Sequence, residues 1–312
     1  MHSDVLLHRV THYEPSGLAA VLHRAMDAVC PALSPGSCVL IKPNLVAVRQ
    51  TPVACTHPAV VHSLCRYFLR AGCAVQVGDS PAFGSAAGVA RRCGYDQWLR
   101  DLEVPLVTLD QPVPRALPWG AQMQLSRRAL QCDLLVNVGK FKAHGQMRLT
   151  ACVKNMFGCV SGVRKGLAHA RYGEQGTRFA ELIIAVAQAL PHSVHVLDGI
   201  TALHRWGPTQ GSPIDFGLLG VSANGFALDT AVYTALGLVP QEVALWQEAQ
   251  RQGIVGSFPE TLRYPVAPPR NWQGHGFEVP SQLNPVSFRP GQLGRSLLRR
   301  IWSKVRDRCT AG

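Results

Sequence analysis

The sequence predicts an α/β fold, a doubly wound and mostly parallel sheet with helices on both faces. Three observations predict it. Short unbroken runs of Val, Leu and Ile recur along the chain, which is how strands buried on both faces of a parallel sheet read. Each run ends in Gly, Asp or Asn, where a strand gives way to a loop. Segments with apolar residues at helical spacing lie between the runs, and that alternation is the pattern of a doubly wound sheet.

Taken in order, GLAAVLHRAMDAV from Gly17 reads as a helix and CVLIKPN from Cys38 as the first strand. HPAVVHSLCRYFLRAG from His57 is the next helix, followed by strands AVQVGDS from Ala74, VPLVTLD from Val104 and DLLVNVGK from Asp133. TRFAELIIAVAQAL from Thr177 is helical, VHVLDG from Val194 and FGLLGVSANG from Phe216 are strands, and NGFALDTAVYTALG from Asn224 is a helix. After Gly237 the alternation fades. One α/β unit is expected over residues 1–254, then an irregular covering segment rich in Pro and Gly over 255–293. Residues 294–312 form a basic amphipathic tail, with six Arg or Lys against one Asp and Leu297, Leu298, Ile301, Trp302 and Val305 at helix-like spacing. Such a face can dock on the protein body or on an anionic membrane surface, and both stay open.

The 312 residues, 47% hydrophobic, suffice for a sizeable buried core. No stretch approaches the roughly 18 to 20 apolar residues of a membrane span, and MHSDVLLHRVTHYEPSG lacks the features of a signal peptide, so a cytoplasmic location is expected. Ten cysteines without a C-x-x-C offer neither a zinc ribbon nor a ferredoxin cluster motif, and read as reduced, mostly buried thiols. A formal charge of +12 suits nucleic acid, anionic lipid or an acidic metabolite. Aromatic content of 7% and the lack of helix-turn-helix, RNA-binding or zinc motifs argue against nucleic acid.

In open α/β sheets functional groups gather where strands end. That rule collects Lys42 and Asn44, Asp79, Lys140, Lys142 and His144, and Asp198 into one cationic crevice. The stretch KFKAHGQMRLTACVKNMFGC over 140–159 is its centre, and between Asp133 and Glu174 seven Lys or Arg meet no acidic residue. Such a field needs an anion, either a distant carboxylate of the fold or a ligand. The lysines alternate with Phe141, Met156, Phe157 and Val160, residues that want burial, while Gly145, Gly158, Gly162 and Gly166 let backbone approach a ligand closely. No Walker loop and no G-x-G-x-x-G after the first strand is present. The expected partner is therefore an anionic small molecule, a carboxylate or phosphate, held by Lys42, Asn44, Lys140, Lys142 and Asn155. His144 would move a proton and Lys154 contact the ligand. Asp79 and Asp198 would orient the cations, bind a divalent metal or cap helices.

KPNLV (Lys42 to Val46), THPAVV from Thr56, VGDS from Val77, GYD from Gly94, NVGKFKAHG, ACVKNMFG, KGLAH (Lys165 to His169), VLDGI from Val196, Gly207, Pro208 and Gly211, and NGFALD from Asn224 occur in that order. Over about residues 38–237 this set resembles the domain of unknown function 362 family. Many members of that family carry appended iron-sulfur ferredoxin modules, which implies redox-linked chemistry and a redox or ferredoxin partner for some, although this chain lacks such a cysteine motif. The run from His144 through Lys154 to His169 is also similar to a stretch of the nickel-pincer lactate racemases. There a histidine is acid or base, a lysine tethers the pincer cofactor, and a later histidine binds nickel. The similarity implies His144 as the catalytic proton-transfer group, Lys154 as the cofactor or substrate anchor, and His169 as a metal ligand. The expected function is an enzyme-like protein with racemase- or epimerase-like proton transfer; the cofactor is left unnamed. The alternatives are an accessory protein for redox, metal or iron-sulfur assembly and a non-catalytic nucleic-acid binder.

Overall fold

The computed structural model describes residues 2–46, 52–81, 85–120, 122–161, 172 and 177–283. His169, Gly162, Gly166 and the tail of 294–312 lie outside the described residues. The strands are β1 (Ser3–Asp4), β2 (Leu6–Arg9), β3 (Cys38–Pro43), β4 (Ala74–Asp79), β5 (Leu106–Thr108), β6 (Pro112–Ala116), β7 (Gln122–Ser126), β8 (Leu134–His144), β9 (Arg148–Thr150), β10 (Ser193–His204), β11 (Ser212–Ser222) and β12 (Leu262–Arg263). The main sheet runs β2-β11-β10-β8-β3-β4-β5, with β9 paired to the end of β8. From β10 through β8, β3 and β4 to β5 every pairing is parallel, whereas β11 is antiparallel to both β10 and β2.

Four of the helices that cover this sheet start where the sequence supplies a side-chain cap. In α1 (Pro15–Val29) Pro15 opens the first turn and the Glu14 carboxylate accepts from Ser16 N and Gly17 N. In α2 (Pro58–Arg70) His57 is the N-cap, its ring accepting Ala59 N. Three short helices follow: α3 (Ala86–Arg92), α4 (Tyr95–Trp98) and α5 (Arg127–Gln131). The rest are α6 (Cys152–Met156), α7 (Thr177–Gln188), α8 (Gly225–Ala235), capped by Asn224, and α9 (Ala244–Arg251). Among the described residues no helix is long and apolar enough to cross a membrane.

The sheet separates two apolar cores. Leu18 and Leu22 of α1 and Leu64 of α2 join Val39, Ile41, Val136 and Val138 on one side. Ile183 of α7 and Leu228 of α8 join Leu40, Leu135 and Phe141 on the other. Residues 255–283 lie over this second side: Phe277 stacks on Phe141 at 4.5 Å, and buried Trp272 donates to Gly217 O at 3.3 Å.

Strand β8 sets the position of the site. All eleven of its residues are buried, and it continues through KFKAH to His144, well beyond the apolar run. Side chains alternate between faces along a strand. The face bearing Leu134, Val136 and Val138 therefore changes, without a break, to Lys140, Lys142 and His144.

Candidate functional site

Register brings the polar residues together. Lys42 of β3 lies opposite Asn137 of β8, and Lys140 of β8 opposite Asp198 of β10. The fully buried Lys42 ammonium is 2.8 Å from Asp79 Oδ1 and also donates to Asn155 Oδ1 at 3.2 Å and Pro43 O at 3.1 Å. Asp79 Oδ2 accepts Leu45 N at 2.8 Å, which holds the turn after β3. A Cβ on Gly158 would overlap the Lys42 ammonium, so the close approach expected of this glycine is made to an ion pair of the fold.

From this pair a chain of amides runs across the sheet edge. Asn155 Nδ2 donates to Asn137 Oδ1 at 2.8 Å, and Asn137 Nδ2 donates to Cys152 O at 2.8 Å and faces His195 Nδ1 at 3.0 Å. Burial pushes the His195 imidazole down to about 4, which keeps it neutral. Asn44 Nδ2 donates to Asn155 Oδ1 at 2.8 Å while its Oδ1 accepts the Lys142 ammonium at 2.7 Å. Lys142 also donates to Ala54 O at 2.7 Å.

A second group forms around Lys140, whose ammonium lies 2.8 Å from Asp198 Oδ2 and 3.1 Å from the Tyr13 hydroxyl. That hydroxyl donates to Asp198 Oδ1 at 2.7 Å and accepts Thr201 N at 3.1 Å, where the register of β10 shifts between Gly199 and Thr201. One donor and two lone pairs are thus all used. His57 N donates to Asp198 Oδ2 at 2.9 Å, and the His57 ring stacks on Tyr13 at 3.7 Å.

Lys42 and Lys140 are therefore answered by distant carboxylates of the fold. Asp79 and Asp198 orient cations and accept backbone N–H groups, and among the described residues no three His, Cys, Asp or Glu side chains converge as a metal-ligand set. Lys142 and Lys154 differ from that pair. Lys142 is buried, donates to neutral oxygens, and is held down to about 7 by desolvation first, with the Lys154 and Lys140 charges adding and Cys55 and Asp79 opposing. Lys154 sits on α6, keeps part of its surface exposed, and has no hydrogen bond or ion pair to another described residue; desolvation holds it down to about 8. His144 stands two residues beyond Lys142 on the same face of β8, with Nδ1 accepting Gln146 N at 3.1 Å and Met147 N at 3.2 Å. Its ring proton is then on Nε2.

The sequence reading passed over Tyr13, His57, Asn137 and Asp229. Asn137 interrupts the apolar run DLLVNVGK and Asp229 lies on an apolar helix, and a buried polar residue of this kind needs a partner. Nothing in the local sequence around Tyr13 marks it. Asp229, completely within the second core, accepts Cys152 N at 2.7 Å and Val153 N at 3.0 Å and so fixes the start of α6, which carries Lys154 and Asn155. Burial pushes its carboxyl up to about 7.

Thylakoid-associated protein sll1697 of Synechocystis sp. is 33% identical over 97% of this chain and 95% of its own length. Among solved structures, the lactate racemase apoprotein from Thermoanaerobacterium thermosaccharolyticum matches with a TM-score of 0.44 and 13% identity, over 70% of this chain and 54% of that one. A Thermotoga maritima protein matches with a TM-score of 0.42 and 11% identity, over 68% and 56%. The chain spans little more than half the length of those two, and at such identities they assign no residue a role. The family model described as domain of unknown function (DUF362) matches residues 39–234, which hold Lys42, Asp79, Lys140, Lys142, Lys154 and Asp198, and the chain belongs to that family.

Proposed function

We propose that this chain binds a small anion bearing a carboxylate or a phosphate at the C-terminal edge of its sheet, with Lys142 and Lys154 as the cations the anion meets. The observation that carries this reading is the division among the lysines. Lys42 and Lys140 each face a carboxylate at 2.8 Å, whereas Lys142 and Lys154 are desolvated without one and held down to about 7 and about 8. An incoming anion supplies the missing counter-charge and favours the protonated amine. Amines poised near neutral pH also take and return a proton readily, which suits proton transfer of the racemase or epimerase kind, with His144 Nε2 as the second group. The described residues offer no converging ligand set for nickel. We further propose a cytoplasmic location and, from the name of the relative, contact with a membrane surface through the basic tail.

The test is titration with phosphate and a panel of short-chain hydroxy acids, read by calorimetry and thermal shift. Lys154→Met is expected to remove stabilisation by every anion that stabilises the wild type, and Lys154→Arg not to restore it, because a guanidinium differs in shape and does not deprotonate. Affinity should fall as pH rises through 7 to 8, by about tenfold per unit for each lysine that loses its proton. Stabilisation unchanged in Lys154→Met, or affinity indifferent to pH over that range, would overturn the reading.

A further inference from the structure

The face of β8 that carries Lys142 continues onto β9. In the antiparallel register of the two strands Lys142 lies directly opposite Thr150, and His144 opposite Arg148. Residues directly opposite in such a pair project from the same face, so the Thr150 side chain stands beside that of Lys142. Leu149 pairs with Ala143 and joins the second core on the other face.

Thr150 is 3% exposed, and its hydroxyl has no hydrogen-bond partner. A hydroxyl cut off from water and left unbonded costs stability, and buried polar groups nearly always find a partner. The group placed to serve is the amine opposite it. Lys142 instead turns to Asn44 Oδ1 and Ala54 O, both at 2.7 Å. An ammonium carries three N–H donors, so these two bonds leave one unused. The hydroxyl and the third N–H are thus vacant donors on neighbouring side chains. Thr150 also ends β9, and two residues on the chain enters α6, which carries Lys154. It stands where the strand paired to Lys142 leads into the helix of Lys154.

Other buried polar atoms lack partners without this setting. His8 Nε2 is on the edge strand β2, and Ser126 Oγ is on β7 of a separate sheet. Arg148 Nε lacks one too, though that guanidinium is fixed by its Nη1 bond to Pro280 O at 3.1 Å.

We propose that Thr150 is a third binding residue of the anion site, its hydroxyl donating to one oxygen of the carboxylate or phosphate while the remaining Lys142 N–H takes another. This role rests on the anion site proposed above. An oxyanion presents two or more acceptor oxygens on one centre, which suits two donors on adjacent side chains. A hydroxyl that only the ligand satisfies lowers the stability of the free protein and raises the affinity of the bound one.

Thr150→Val keeps nearly the same side-chain shape and removes the hydroxyl. With no anion added, its melting temperature is expected to equal or exceed that of the wild type, because a methyl group replaces a bare hydroxyl. In calorimetric titration with inorganic phosphate and short-chain hydroxy acids it should bind about ten- to a hundred-fold more weakly, the range of one hydrogen bond to a charged group. Thr150→Ser, which keeps the hydroxyl, should stay close to wild type. A melting temperature of Thr150→Val below that of the wild type would make the hydroxyl a structural bond and overturn the proposal. Equal loss of affinity in Thr150→Ser would assign the effect to packing and overturn it as well. Wild-type affinity in Thr150→Val, with binding lost in Lys154→Met, would strike Thr150 and spare the anion site. Absence of binding by the wild type to any of these anions would overturn both.

Discussion

At one sheet edge, lysines of the same chemistry are held in different states, and the difference lies in the atoms opposite each ammonium. Lys42 and Asp79 are both buried and 2.8 Å apart. Removing one partner of such a pair leaves an uncompensated charge, at a cost of about 3–5 kcal/mol. Lys42→Met is therefore expected to destabilise by that amount in denaturant melts. Lys142 donates to two neutral oxygens, Asn44 Oδ1 and Ala54 O, and its folded state already disfavours the charge. Lys142→Met should cost less, about 1–3 kcal/mol, since it removes the desolvated charge and leaves neutral oxygens rather than a carboxylate unpaired. Equal losses in the two variants would show that Lys142 is as structural as Lys42. This contrast was invisible in the amino-acid order. KFKAH presents Lys140 and Lys142 alike, and only strand register gives Asp198 to the first and neutral acceptors to the second.

Among the elements, α6 depends most on others. Five residues do not sustain a helix alone, and its first N–H groups are held by Asp229 of α8. The Asp229 carboxyl is pushed up from 3.8 to about 7 by burial. The folded chain therefore keeps this proton across a range where the unfolded chain has lost it, so the group's contribution to stability falls from about pH 4 to about pH 7 and levels above. Asp229→Asn removes that dependence. The melting temperature of the variant relative to wild type should rise over this range, and a gap constant with pH would show that Asp229 does not titrate there. The elements that were legible in the sequence, β3, β4, β5, β8, β10, β11, α1, α2, α7 and α8, are those that carry a run of Val, Leu and Ile or apolar residues at helical spacing. The end of β8 was not, because charged residues in a buried strand read as a loop until their partners on β10 and in the β3 to α2 connection are known. The hairpin of β6 and β7, Pro-rich and largely exposed on β6, carries no apolar run to announce it. The site followed the same division: the strand-end rule gathered Lys42, Asp79, Lys140 and Asp198, while Tyr13 and His57 arrive from loops whose placement depends on the whole sheet.

For the whole molecule, the formal charge is +12, and the groups buried at the sheet edge change it little, because the lowered Lys142 and the raised Asp229 offset each other. Asp79, Asp198 and Asp229 are all within the interior. The first two are neutralised there by buried lysines and the third is pushed towards its uncharged form. The tail of 294–312, outside the described residues, contributes a net five of the twelve charges, with Leu297, Leu298, Ile301 and Trp302 interleaved. Basic residues alternating with Leu, Ile and Trp suit an anionic lipid surface, where apolar burial and charge attraction add. A chain ending before Gly294 should keep the melting temperature of the full chain and stay in the supernatant when mixed with phosphatidylglycerol vesicles that sediment the full chain. Binding by the full chain should weaken as salt is raised from 0.01 M towards 0.15 M, over which the screening length falls from about 30 to about 8 Å. The opposite pair of results, a lower melting temperature with vesicle binding intact, would instead place the tail against the protein body and move the membrane contact to residues before Gly294.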